Sequence, residues 1–300
     1  MRSRRPRQVG LAAVIALAGV AIALAADWVV RDRALSAARA DFSSAHAQLT
    51  ALVRARTARV VAQADALFRL PPLEEVAWRD LADFGLADPG EDRARLARVH
   101  DALRATDWLV LARPRAGEQL AIGDFKARVL YASANPAVAG TPLTGVPVLA
   151  AAYASHAEAH VGVLAGDDRA VVASGVLGDK PHAGLYLVVA RARRIGEEAR
   201  ALYVQLSPAT DLVDDITVAE DTQVELVAPG AVAPAFDGMV ERRALRADDQ
   251  SEPVADIVLA REVDAELFPH ARPVLLALAL VLAVLAVGLL AIGRSKQPPA

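Results

Sequence analysis

Apolar and polar positions alternate in different ways along this chain, and each pattern predicts a different element. Val9–Ala26 and Val274–Ile292 are unbroken apolar runs without a charge. Each is long enough to cross a hydrocarbon core of ~30 Å as a helix. Between Trp28 and about Leu70 there is neither Pro nor Gly, and Trp28, Leu35, Phe42 and Leu49 recur at sevenfold spacing. Leu52, Val53, Val60, Ala64 and Leu67 continue the stripe, with arginines and polar residues on the other face. This pattern predicts one long helix, ended by Pro71-Pro72. The sevenfold spacing suits a coiled-coil seam and hence a homodimer, or equally a stripe packed on the helix's own domain.

Leu73 to Arg104 reads as one or two further helices, broken near Asp88-Pro89-Gly90. The pattern then shortens to strands: Trp108–Leu111, and Arg128–Tyr131 after a turn around Gly123-Asp124. His160–Leu164, Ala170–Ser174, Leu185–Arg191, Ala201–Leu206, Thr222–Val227 and Val254–Arg261 follow. Gly166-Asp167-Asp168 reads as a hairpin turn. Helices are predicted over Val146–Ser155 and Pro208–Ala219, the second capped by Ser207. Long helix first and closely spaced strands later make an α+β order with a mainly antiparallel sheet and flanking helices.

Charge orients the two apolar runs. Arg2, Arg4, Arg5 and Arg7 precede the first, and Arg294 and Lys296 follow the second. Basic flanks stay cytoplasmic, so both termini are expected inside a cell inner membrane and the loop outside, in the periplasm. The expected organisation is a cytoplasmic N-terminus (1–8), a first span (9–30), a stalk helix (31–70), an extracytoplasmic domain (71–272), a second span (273–293) and a cytoplasmic tail (294–300). Ala23-Leu24-Ala25 offers a rival reading of the first run as a cleaved signal peptide, under which the loop is still exported.

Composition narrows the chemistry. A net charge of −3 gives no pointer to nucleic acid. The absence of cysteine excludes disulfides, thiol catalysis, Cys-zinc sites and iron–sulfur clusters. Neither a nucleophile elbow nor a phosphate-binding glycine loop is present, so no enzymatic role and no cofactor are expected.

Asp124-Phe125-Lys126-Ala127-Arg128-Val129-Leu130-Tyr131-Ala132-Ser133 resembles the D-x-x-G-x-V-L-x-S hairpin of bacterial extracytoplasmic Cache-type, PAS-like sensor domains. Leu185–Arg191 is similar to a later core strand of that family. Ala127 stands where the turn glycine is usual. The span–stalk–domain–span layout is likewise that of two-pass histidine kinases, cyclases and chemoreceptors. The resemblance implies a ligand pocket on one sheet face, for which Tyr131, His182, Tyr186 and Arg191 are the candidate lining residues. It also implies a cytoplasmic output module, which seven residues after the second run are too few to form. A separate cytoplasmic kinase or regulator, as in a two-component system, is therefore the expected partner.

His156-Ala157-Glu158-Ala159-His160 is a second candidate: His156 and His160 share one helix face and suit a metal ion, or a pH response. The reading that emerges is a membrane sensor of an unidentified small ligand or exported partner. A membrane-anchored interaction scaffold without signalling output is the alternative.

Overall fold

The computed structural model describes residues 5–69, 94, 98, 101, 114–115, 117–123, 127–135, 140–154, 159–178, 180–195, 199–232, 235–236, 238–248, 252–263, 273–274 and 276–284. Side chains at 5–13, 15–16, 194–195 and 199–200 lie outside that description. So do the helices expected between Leu73 and Arg104, the strand expected at Trp108–Leu111, and His156.

The elements run α1 (Arg5–Leu67), β1 (Gln119–Gly123), β2 (Val129–Ala132), α2 (Pro147–Ala154), β3 (His160–Ala165), α3 (Arg169–Ser174), β4 (Leu185–Ile195), β5 (Ala199–Pro208), α4 (Ala209–Asp214), β6 (Thr222–Val227), β7 (Met239–Arg246) and β8 (Pro253–Arg261). This is an α+β fold. The chain divides into two compact units, one of 1–41, 237–239 and 261–300, the other of 42–236 and 240–260. In the first, Arg261 donates to Asp41, and 276–284 are helical. Among the described residues no helix is long and apolar enough to cross a membrane. In the first apolar run the side chains at 9–13 and 15–16 lie outside the description, and the second run includes positions outside it.

The second unit holds both sheets. β2-β1-β5-β4-β3 form a five-stranded sheet whose four pairings are all antiparallel, and β6-β8-β7 form a three-stranded one. Period-two alternation sends successive side chains of the larger sheet to opposite faces. One face carries Ala121, Ala132, Leu164, Val188, Ala190, Leu202, Val204 and Leu206, which pack with Leu149 and Ala152 of α2 and Val171 of α3 into one core cluster. The opposite face carries Leu187, Val189, Tyr203 and Gln205, all buried.

From Arg59 on, α1 reaches that second face, while nearer its middle His46 lies 3.1 Å from the Ala244 carbonyl of β7. Phe42, Leu49, Val53, Val60 and Ala64 are buried at the i, i+4, i+7 spacing of an amphipathic helix. Burying each of the larger side chains is worth about 1.5–3 kcal/mol. Phe42 and Leu49, two members of the sevenfold series, are thus buried within a single chain, while Trp28 is exposed. Asp65 accepts from Arg191 of β4 at 3.3 Å, and the Arg193 guanidinium lies 5.9 Å from the Phe68 ring centroid.

Several expected elements differ. Ala170–Ser174, read as a strand, is helix α3. Asp168, read as part of a hairpin turn, is its N-cap, with Oδ1 accepting from the amides of Ala170 and Val171. A local side-chain cap outweighs the β preference of Val171 and Val172. Helix α4 covers only Ala209–Asp214, and Ser207 does not cap it: Ser207 sits in β5, Pro208 occupies the N-cap position, and no side chain caps the helix. Gln119–Gly123 was expected to lead into a turn, yet it forms the near-central strand β1; β7 was expected as loop. Polar residues interrupt the apolar pattern of β7, and β1 has only three apolar residues before its glycine.

Ala127 has φ +55°, the left-handed region that disfavours a β-carbon. The turn glycine missing from the motif is therefore missing where the backbone needs it. Ala127→Gly is expected to stabilise the protein by about 0.5–1 kcal/mol, after allowing for glycine's greater unfolded-state freedom. Thermal unfolding of the two proteins side by side checks this.

Candidate functional site

The register of the larger sheet decides which predicted site residues meet. Tyr131 pairs with Ile122, Ile122 with Tyr203, and Tyr203 with Arg191. These four form one row across the α1 face, so Tyr131 and Arg191 share a face but are three strands apart, roughly 14 Å. Tyr186 is on the opposite face, beside Leu164 and the core under α2 and α3. His182 joins it there, their rings edge to face with centroids 6.4 Å apart. Burial, then the charge of Asp211, raises the Tyr186 pKa. The candidate ligand residues therefore form two separate pairs.

His160 begins β3, opposite Ala190, and burial lowers its pKa. Its Nε2 is buried without a hydrogen-bond partner. Among the described residues no group of three or more His, Cys, Asp or Glu is placed to hold a metal ion.

A cluster that the sequence did not single out occupies the α1 face. Glu118, just before β1, has a fully buried side chain. Its Oε1 accepts from Arg59 of α1 at 2.7 Å and from Ser207 Oγ at 3.4 Å, and its Oε2 accepts from the Arg115 amide at 2.8 Å. Arg56 NH1 lies 4.0 Å from the same carboxylate, close enough for attraction but too far for a hydrogen bond. Arg56 NH2 instead donates to Asp215 at 3.0 Å, and Arg115 donates to that same oxygen at 2.7 Å. Two arginines one turn apart on α1 thus reach both the start of β1 and the residue after α4.

These carboxyls titrate in opposite senses. Hydrogen bonds from Arg56 and then Arg115 hold Asp215 below the ordinary carboxylate range. Burial raises Asp211, with Arg56 opposing and Asp214, Glu118 and Asp215 adding to the rise. A depressed folded-state pKa contributes stability that is present above the unfolded pKa and lost as pH falls through the folded one. Asp215→Asn should therefore be less stable than the parent at pH 7. The gap should close as pH falls below about 4, which unfolding midpoints measured at several pH values would test.

Tyr203 is fully buried in the same cluster and its hydroxyl has no hydrogen-bond partner. Burial, then Glu118, raises its pKa, with Arg59 opposing. An unmet buried hydroxyl costs about 1–3 kcal/mol, so Tyr203→Phe is expected to hold or raise stability by up to about 1 kcal/mol. A clear loss in denaturant titration would show that the hydroxyl has a partner after all.

Sequence reasoning missed Arg56, Arg59, Glu118, Tyr203 and Asp215. Arg56 stands seven residues after Leu49 on the same stripe as Val53 and Val60, and a charge on that apolar face is the signal that marks it; Arg59 lies at the stripe's margin, and Glu118 belongs to no motif. No protein-family model, no curated protein and no solved structure matches this chain.

Proposed function

We propose that this chain is a two-pass membrane sensor subunit. Its extracytoplasmic α+β domain binds a small ligand or exported partner, and its membrane helices pass the change to a separate cytoplasmic transmitter. The observation that carries this reading is the continuity of α1, one 63-residue helix that begins in the first apolar run and ends in the larger sheet's unit. Part-buried ion pairs join its far part to Glu118, just before β1, and to Asp215, just after α4. A ligand that shifts these contacts acts on α1 itself, and a small local shift of this kind biases a two-state element.

Further support comes from the charge-free length of Val9–Ala26 and Val274–Ile292 with basic residues outside each. The antiparallel five-stranded sheet β2-β1-β5-β4-β3 also agrees with the α+β, mainly antiparallel order on which this reading rests.

The absence of cysteine allows a direct test. Single cysteines replace Ser3, Val232 and Ser295, and intact cells with a permeabilised outer envelope receive a membrane-impermeant maleimide. Val232 is 93% exposed and suits labelling. Labelling at 232 alone, with 3 and 295 reacting only after lysis, is the expected result. Equal labelling at all three, or release of the protein by alkaline carbonate, would sink the two-pass reading. Co-purification of a cytoplasmic kinase or regulator from native membranes would then identify the transmitter.

A further inference from the structure

A cleft of about 450 Å³ opens where α4, the start of β4 and β6 meet. That volume suits a small molecule. Leu185, Val213, Val224 and Leu226 make its walls apolar, while the charged side chains that line it are Asp214 and Glu225, with no basic one among them. The arginines bound near the end of α4 are already committed, since Arg56 and Arg115 both hold Asp215. Residues 224 to 228, the last four of β6 and the one that follows it, line the cleft. Because side chains alternate along a strand, such a run presents the strand's edge rather than one face. β6 is an outer strand of its sheet, and such an edge presents backbone carbonyls and amides in alternation.

We propose that this cleft is a binding site for a small apolar cation, a protonated alkyl or aryl amine. The hydrocarbon part lies against Leu185, Val213, Val224 and Leu226, and the ammonium is met by the two carboxylates and the carbonyl edge of β6. An ammonium has donors and no acceptor, which matches the two carboxylates and the strand-edge carbonyls. An anionic ligand of the same shape meets two like charges there. The site is distinct from the sheet face under α2 and α3, which the core cluster fills.

The cleft also has a route to α1. Asp214 ends α4 and lines the cleft, and the next residue, Asp215, holds Arg56. An amine that draws Asp214 toward itself pulls on the neighbouring ion pair. Only this consequence rests on the sensor reading; binding itself does not.

The test uses full-length protein in mild detergent and calorimetric titration with phenethylamine, neutral 2-phenylethanol and anionic hydrocinnamate, with tryptamine as a larger amine. At least one amine should bind about tenfold or more tighter than the alcohol, a difference worth one charge-assisted contact, and the acid should not bind. Asp214→Asn with Glu225→Gln should abolish the preference for the amine while leaving the melting temperature within a few degrees. Val224→Trp should block all binding by filling the cleft. If no amine binds, if amine and alcohol bind alike, or if the preference survives the double substitution, the site is wrong. A protein that binds the amine but fails the maleimide test keeps the site and loses the sensor role; the reverse outcome keeps the role and loses the site.

Discussion

Replacing Glu118 by alanine is expected to destabilise the folded protein by about 3–5 kcal/mol, and replacing it by glutamine by nearly as much. The carboxylate is fully buried and faces Arg59 at 2.7 Å and Arg56 at 4.0 Å. Arg56 is itself almost completely buried, and its Nε and NH1 already lack hydrogen-bond partners. Without Glu118, a desolvated guanidinium keeps only its bond to Asp215, a partly exposed partner. Glutamine preserves the shape and an acceptor for the Arg115 amide, so a similar loss in both variants would assign the effect to charge. A second substitution, Arg59→Met in the glutamine background, should recover part of the loss by removing one of the uncompensated cations. Thermal and urea unfolding of the full-length protein measures all of these. A loss below about 1 kcal/mol in the alanine variant would mean that water already solvates the cluster and that α1 is not electrostatically fixed to β1.

Gly166→Ala is the second substitution with a large expected effect, about 2–4 kcal/mol of destabilisation. A β-carbon there would lie 2.6 Å from the carbonyl oxygen of His182, 2.9 Å from Tyr186 Cε2 and 3.0 Å from His182 Cβ. The first of these is backbone and cannot rotate away. Two hydrogen bonds hold it in place: the Gly166 amide donates to Gly184 at 3.0 Å and the His182 amide donates to Gly166 at 3.1 Å. Relief requires 182–184 to move away from Gly166 at the end of β3, which costs those bonds and separates His182 from Tyr186. Because Leu185 follows directly and lines the amine cleft, the same variant should also weaken amine binding. Unchanged unfolding and unchanged titration would mean that this turn is softer than its bonding indicates.

Much of the fold was legible before any coordinates. The stripe from Phe42 to Leu67 is long and strongly periodic, so the helix was clear from the sequence. β3, β6 and β8 are short apolar runs bounded by turn residues and fall within a residue or so of expectation. The α+β order and antiparallel pairing followed from the short spacing between strands. α3 was mistaken because a six-residue segment with two valines carries too little periodicity to separate helix from strand, and the Asp168 cap was the overlooked signal.

What the chain's sequence determined by itself is local: where helices and strands run, where charge-free stretches lie, and which chemistries cysteine-free composition excludes. These depend on residues near one another along the chain, where propensity and periodicity act. Tertiary structure alone decided which side chains meet. Strand register put Tyr131 and Arg191 on one face and Tyr186 on the other, although all lie on strands with similar patterns. Packing brought Arg56 and Arg59 to Glu118 across 59 or more positions of sequence, and packing turned the edge of β6 toward α4. Such contacts depend on sheet pairing and on burial of charge. A single sequence gives only part of this: Arg56 stands on the apolar stripe seven residues after Leu49, but which carboxylate compensates its charge is decided only when folding brings the partner to it.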